Sequence, residues 1–127
     1  MAKFKWDSRV NGMKPEYFPN VEVVLSAEDV QWAVFCNGKK KKIYTVKEQT
    51  SKKPHLYVNV QMIVDGQVYQ NRGMPLAQLI WLKVAKRSIV PGCVIDHIDE
   101  NPLNNMPSNL QMLSIGDNVR KHWKLKK

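Results

Sequence analysis

The feature that most constrains the fold is an alternating run of apolar residues that ends at a turn signal. From Leu56 to Val64, every second side chain is strongly apolar, which is the pattern of a strand with one buried face. Asp65-Gly66 follows, a dipeptide that favours a tight turn between antiparallel strands, and Gln67–Gln70 then provides a returning strand. The sequence therefore predicts a β-hairpin, against which the rest of the chain must pack.

The residues before this hairpin predict a second hairpin and an irregular arm. Val21–Leu25 is β-branched and apolar, which is typical of a strand. Asn37-Gly38 separates the apolar runs Trp32–Cys36 and Ile43–Val46 and favours a hairpin between them, although a short helix ending at this glycine fits the same residues. Residues 1–20, with glycine and prolines among charges and aromatics, are predicted to have no regular structure.

After the hairpin of Leu56–Gln70, the sequence patterns change from strand to helix and back to strand. Apolar residues at helical spacing predict a helix over Leu76–Lys86. Short apolar runs predict strands at Cys93–Asp96 and Leu110–Leu113, separated by a loop rich in Asn, Pro and Asp over Ile98–Ser108. A last helix is predicted over Ile115–Trp123. The chain is therefore expected to be α+β, with a β-hairpin-rich N-terminal part followed by a helix and a C-terminal strand–strand–helix unit.

The last helix has its own start signal and places two polar residues on one face. Ser114 is an N-cap candidate, because Asp117 stands three residues further on and can return a hydrogen bond to the cap. Asn118 and His122 are four residues apart, so they project from the same side of a helix, one turn from each other. Both are therefore candidates for one functional site.

Composition limits the partners and the compartment. The chain has 127 residues and a formal net charge of +9, and a basic surface favours a polyanionic partner because Lys and Arg neutralise phosphates. No apolar run approaches the roughly 18 residues that a membrane helix needs, and Met1–Asp7 lacks the pattern of a secretory signal. We therefore expect no membrane contact and a cytoplasmic location, which is the host cytoplasm if a phage encodes the protein.

The densest cluster of reactive side chains comprises Asp96-His97-Ile98-Asp99, Asn104-Asn105, Asn109-Leu110, Asn118 and His122. It resembles the HNH endonucleases, particularly the phage and intron homing type, over residues 93–122. The resemblance implies a C-terminal ββα-metal finger over about residues 93–124, and hydrolysis of DNA phosphodiester bonds with one divalent metal ion. Glu100 stands where that family often has glycine.

The resemblance also implies roles for the reactive residues. Asp96 is at the first metal-ligand position, Asn118 at the second, and His122 at a third that some members use, while His97 is at the position of the general base. Adjacent strand residues point to opposite faces, so Asp96 can face the helix while His97 faces elsewhere. A carboxylate, a carboxamide and an imidazole suit Mg²⁺ or Mn²⁺, with Zn²⁺ or Ni²⁺ as alternatives if His122 binds.

Structural residues and cations complete the predicted site. Asn109 is implied to tie the loop to the hairpin without touching substrate, and Asp99 and Asn105 are assigned to ordering the same loop. His55 has no partner in the pattern and is expected to be an ordinary surface histidine. Contact with DNA is predicted for basic side chains of the last helix and of the Asn37-Gly38 hairpin, namely Arg120, Lys121, Lys124, Lys39, Lys40, Lys41 and Lys42.

We therefore expect two parts, an arm and hairpin of unassigned role in residues 1–54 and a nuclease module in residues 55–127. The main hypothesis is a metal-dependent endonuclease acting on double-stranded DNA, which nicks as a monomer because one finger carries one active site; a dimer is the alternative. The rival hypothesis is a catalytically silent DNA-binding or host-interaction protein on the same fold, with a protein partner engaging residues 1–54.

Overall fold

The computed structural model describes residues 8–26, 31–45 and 54–125, except for the side chains of residues 8–9 and 122–125. Its helices are α1 (Ser8–Asn11), α2 (Leu76–Leu79) and α3 (Ile115–Leu125). Three antiparallel sheets are composed of β1 (Val21–Leu25), β2 (Trp32–Cys36) and β3 (Lys39–Lys41); β4 (Tyr44–Thr45), β5 (Leu56–Val64) and β6 (Gln67–Pro75); and β7 (Cys93–His97) and β8 (Leu110–Ser114). The predicted α+β class is confirmed.

The alternating run forms the predicted hairpin. β5 pairs antiparallel with β6, and Val64 lies opposite Gln67 across the Asp65-Gly66 turn. The alternate residues Val58, Val60, Met62 and Val64 are buried, which agrees with the single apolar face read from the sequence. β6 extends to Pro75 and is therefore longer than predicted, because pairing with β5 continues through its polar residues.

The helix predicted over Leu76–Lys86 is present, but its geometry changes along its length. α2 passes directly into a π-helical turn over Ile80–Val84. Leu76, Leu79 and Ile80 are fully buried, as the predicted apolar face requires, and Leu82, outside that face, is fully buried as well. Lys86 has a φ of 57°, and this left-handed residue follows the end of the helix.

The prediction of an irregular arm is wrong for its described residues. These include α1 and a 3₁₀ turn at Pro15–Tyr17, and Met13 forms a two-hydrogen-bond bridge with Ile89 of 2.9 and 2.8 Å. Phe18 is completely buried and Met13 is nearly so. These elements are too short to produce a periodic pattern, and their order comes from packing against residues distant in sequence.

The hairpin at Asn37-Gly38 forms, but with a different partner strand from the one predicted. Asn37 and Gly38 have φ values of 53° and 78°, and this tight turn places Lys39 directly opposite Cys36. Residues 39–41 therefore form β3, while Tyr44–Thr45, within the run predicted to pair with β2, pairs with β5 in another sheet. The alternative of a helix ending at Gly38 is excluded.

One hydrophobic core joins the elements. Phe18 and Val34 from the N-terminal part belong to the same buried cluster as Met62, Leu79 and Leu110. The predicted division at residue 54 stays a prediction, and the core contains residues from both sides of it. No helix within the described ranges has the length and apolar character needed to cross a bilayer.

Candidate functional site

A strand pair and a capped helix position the reactive residues. β7 and β8 pair in register, with Asp96 opposite Gln111 and His97 opposite Leu110. The predicted cap at the start of α3 is confirmed, because the backbone N–H of Asp117 donates to Ser114 Oγ at 3.1 Å. The two strands followed by α3 have the order expected of a ββα unit, while the assignment of a metal to it stays a prediction.

Asp96 and His97 face opposite sides of β7, as strand alternation requires. The Asp96 carboxylate contacts a side chain of α3, whereas the His97 ring contacts the loop after β7 and the segment before β5. Asp96 is only 8 % exposed, so its charge needs partners within the protein. The end of β7 therefore has a buried carboxylate, that of Asp96, on one face and a half-buried imidazole, that of His97, on the other.

The partners of Asp96 are a neutral amide and an ammonium group. Its Oδ2 accepts hydrogen bonds from Gln111 Nε2 at 2.8 Å and from Lys121 Nζ at 2.5 Å. Lys121 Nζ also donates to the backbone carbonyls of His97 at 3.0 Å and Ile98 at 3.4 Å. Three oxygens at the end of β7 thus surround one positive charge supplied by α3.

The His97 ring is oriented by a buried carboxamide. His97 Nε2 lies 2.7 Å from Asn105 Oδ1, and Asn105 Nδ2 donates to the carbonyl of Pro102 at 3.3 Å. Asn105 is 2 % exposed, so its orientation is held by these contacts. Because a carboxamide oxygen only accepts, Nε2 carries the hydrogen, and in the neutral ring Nδ1 is the basic nitrogen.

A second polar network orders the loop between the strands. Asn109 Nδ2 donates to Asp99 Oδ1 at 2.8 Å and to the carbonyl of Asn104 at 2.9 Å, while its Oδ1 accepts from the Asp99 backbone N–H at 3.1 Å. A hydrogen bond from the Asn104 side chain, with others from the Asn101 backbone and Asn109, lowers the pKa of Asp99 to about 2. Glu100 has a φ of 63° within this loop, the left-handed conformation that glycine adopts most easily.

The structure places a second histidine beside His97. This residue, His55, was expected from the sequence to be an ordinary surface histidine. The half-buried ring of His55, just before β5, has its centroid 6.3 Å from that of His97. This separation is too long for a direct hydrogen bond between the two rings. No local pattern marks His55, because its neighbour His97 is 42 residues away in sequence and is brought near only by the tertiary fold.

The remaining predicted residues are distributed unevenly around this site. Asn118 is half-buried on α3, one helical turn before Lys121 and therefore close to the same face. The side chains of His122 and Lys124 lie outside the described residues. Arg120 Nη2 binds Asp117 Oδ1 at 2.5 Å, and this guanidinium is the main cause of the lowered pKa of the Asp117 carboxyl.

The other predicted DNA-binding residues are on a different sheet. Lys39, Lys40 and Lys41 form β3, with the first two exposed, and exposed Lys42 follows them. The β1–β2–β3 sheet is separate from the β7–β8 sheet that holds His97. The contact of these four lysines with DNA stays a prediction, and it requires a DNA substrate that reaches both sheets.

The oxygens at the end of β7, from Asp96, His97 and Ile98, fit a cation. The oxygens around Lys121 Nζ are of the type that Mg²⁺ and Mn²⁺ bind. Across residues 8–26, 31–45 and 54–125, no three His, Cys, Asp or Glu side chains cluster in a way that could hold a metal ion. That Asp96, the Asn118 carboxamide and the His122 side chain hold a divalent ion stays a prediction.

Comparison with known proteins agrees with the resemblance read from the sequence. Residues 78–120 match the family model of the HNH endonucleases. The match begins in α2 and ends within α3, so it includes Asp96, His97 and Asn118 but neither His55 nor His122. Searches of curated proteins and of solved structures found no match.

Proposed function

We propose that this chain, whose residues 78–120 belong to the HNH endonuclease family, is a metal-dependent endonuclease that hydrolyses phosphodiester bonds of double-stranded DNA. Family membership indicates a nuclease in general. The observation that carries the finer proposal is the arrangement at the end of β7, where Asp96 faces α3 and His97 is aimed by Asn105. A proposed cation site and a proposed general base thus stand on adjacent residues that face opposite sides of β7, so the scissile phosphate must reach both at the end of the strand.

In this proposal His97 is the general base. Its Nε2–H is held by Asn105 Oδ1, so Nδ1 takes the proton from the attacking water. The water oxygen bonds to phosphorus as the bond from phosphorus to the 3′ oxygen breaks. Asn105 acts as a positioning residue, because it contacts His97 and fixes the tautomer without itself touching the reacting atoms.

Asp96, Asn118 and His122 are the residues that would hold the divalent ion. Once bound, the ion supplies positive charge to the phosphate and the departing oxygen. Mg²⁺ or Mn²⁺ suits the carboxylate and carboxamide oxygens, and Zn²⁺ or Ni²⁺ is the alternative if the imidazole of His122 is a ligand.

The protein's charge and its single site determine the expected substrate and product. A net charge of +9 favours a polyanion, and Lys39–Lys41 on β3 would hold DNA at a distance from the cleavage site. One active site cuts one strand, so the monomer is proposed to nick, and a double-strand break would need a dimer or two events. Residues 1–54 would supply target recognition or a surface for a protein partner.

The rival is a DNA-binding or host-interaction protein that has lost the reaction. The ion pair between Lys121 Nζ and Asp96 Oδ2 favours this rival function, because it occupies an oxygen that the metal would use. The two functions differ in a single property, which is cleavage in the presence of a divalent ion.

Incubation with supercoiled plasmid tests the proposal. We expect relaxed circles with Mg²⁺ or Mn²⁺, no product with EDTA, and no product from His97→Ala although that variant still binds the plasmid. Gln67→Ala, at the exposed β5–β6 turn, is the matched control and should cleave normally. Absence of nicking with Mg²⁺, Mn²⁺, Zn²⁺ and Ni²⁺ would support the silent DNA-binding protein, and normal cleavage by His97→Ala would reject His97 as the base.

A further inference from the structure

Lys121 lies on α3 with its ammonium group at the end of β7. It is bound by Asp96 Oδ2 at 2.5 Å, by the His97 carbonyl at 3.0 Å and by the Ile98 carbonyl at 3.4 Å. The Lys121 side chain is 22 % exposed and that of Asp96 is 8 % exposed. The ion pair is therefore largely removed from solvent, where charge interactions are stronger than at the surface.

We propose that Lys121 is the resident counter-ion of Asp96 in the metal-free protein, and that a divalent ion binds Asp96 only by displacing this ammonium. The inference rests on the proposed function, because it concerns the same metal site. It assigns to Lys121 a role in metal affinity in place of the phosphate contact predicted from the sequence.

Charge and space both favour this exchange at Asp96 Oδ2. A divalent ion coordinated to Asp96 Oδ2 would stand within a few ångströms of the ammonium, and two cations at that distance repel each other strongly in a partly buried site. Asp96 Oδ2 also accepts from Gln111, so a third group at the same oxygen would be crowded. The lysine side chain has a long, flexible stem attached to the rim of the site, so its head can leave while α3 stays in place.

Lys121 differs in this respect from the neighbouring cation on the same helix. Arg120 pairs with Asp117, and those side chains are 73 % and 56 % exposed. That pair is open to solvent and has no contact with the end of β7 among the described hydrogen bonds. Arg120 therefore provides a control in which one positive charge is removed from α3 without vacating the oxygens around Lys121.

Direct binding of Mn²⁺ in the absence of DNA tests the inference. We expect Lys121→Met to bind Mn²⁺ at least about tenfold more tightly than the unaltered protein, which corresponds to loss of a modest competing interaction, while Arg120→Met stays close to the unaltered value. Titration calorimetry or the electron paramagnetic resonance signal of free Mn²⁺ provides the dissociation constants. An unchanged or weaker affinity in Lys121→Met, or a gain of the same size in Arg120→Met, would overturn the inference.

A measurement on the unaltered protein removes dependence on how well Lys121→Met folds. In ¹⁵N-lysine-labelled protein, the hydrogen-bonded Lys121 ammonium should produce a protected ¹H–¹⁵N signal, which Lys121→Arg identifies by its loss. Saturating Mg²⁺ should remove or shift this signal in proportion to occupancy. A signal that does not change while Mg²⁺ binds, or an absence of metal binding to either protein, contradicts the exchange.

These outcomes are separable from those of the plasmid assay. Metal-dependent nicking with an unchanged Lys121 signal would leave the proposed endonuclease intact and reject the counter-ion role. Tighter Mn²⁺ binding by Lys121→Met without nicking by any form would support the counter-ion role and reject the endonuclease.

Discussion

His55 and His97 lie with their ring centroids 6.3 Å apart, one before β5 and the other at the end of β7. Their planes are inclined at 60°, so the rings do not stack on each other. The general base proposed above therefore has a second imidazole as its neighbour, contributed by a segment outside the family match.

Replacing His55 tests whether this proximity affects catalysis. We expect His55→Ala to lower the single-turnover nicking rate by about tenfold, because a donor near the reacting phosphate or water is lost, which is less than the 10²–10⁴-fold typical of a general base. Plasmid binding measured without metal should be unchanged. His55→Gln, which keeps a polar donor, should recover part of the rate, and a rate in His55→Ala equal to that of the unaltered protein would show that the two rings are neighbours only.

Removing Asn105 should disturb both the tautomer of His97 and the stability of the loop. Asn105→Ala removes the acceptor of His97 Nε2 and the donor to Pro102, so we expect stability to fall by about 1–3 kcal/mol. Two-bond ¹H–¹⁵N spectra should show the Nε2–H tautomer of His97 in the unaltered protein and a mixture in the variant. Asn101→Ala is a useful comparison at an exposed loop position, since it has no contact with His97 among the described hydrogen bonds. A fixed Nε2–H tautomer in Asn105→Ala would exclude the positioning role.

The Asp99 network predicts a defined pH dependence of stability. Asp99 has a folded-state pKa of about 2, whereas its ordinary pKa is 3.8. Its ionised carboxylate therefore stabilises the native loop at pH values above 3.8. That contribution is lost as the pH falls through the folded pKa. Asp99→Asn should therefore be less stable at neutral pH, and its difference from the unaltered protein should shrink between about pH 5 and about pH 2. Urea unfolding at a series of pH values measures this difference, and a difference independent of pH would refute the assignment.

Lys86 follows the helix in a left-handed conformation that costs energy for any residue with a Cβ atom. Its φ is 57° and its side chain is exposed, so Lys86→Gly should raise the free energy of unfolding by roughly 1 kcal/mol. Arg87→Gly is the matched control, since Arg87 is not left-handed and its guanidinium lies 5.4 Å from the Trp81 ring centroid. Thermal unfolding should show a gain for Lys86→Gly and a loss for Arg87→Gly; a loss for both would contradict the strain argument.

The elements predicted correctly have patterns that are complete within a few residues. The β5–β6 hairpin follows from alternation and the Asp65-Gly66 turn, and the start of α3 follows from Ser114 with Asp117 three residues later. By contrast, the order of the arm depends on Met13 meeting Ile89, a contact that no local pattern contains. The partner of β2 was assigned to the wrong residues because a run of lysines is not apolar, although the two-residue turn required pairing to begin at once.

The same distinction applies to the functional site. The sequence by itself indicated the HNH endonuclease family, through a resemblance that Asp96, His97, Asn109 and Asn118 carry. Only the tertiary structure decided what each of the first two contacts. His97 lies beside His55 and is aimed by Asn105, and Asp96 binds Lys121, whose predicted contact with DNA stays a prediction. The physical reason is that spacing defines which groups share an element, whereas the partner of a buried charge depends on which element packs against it.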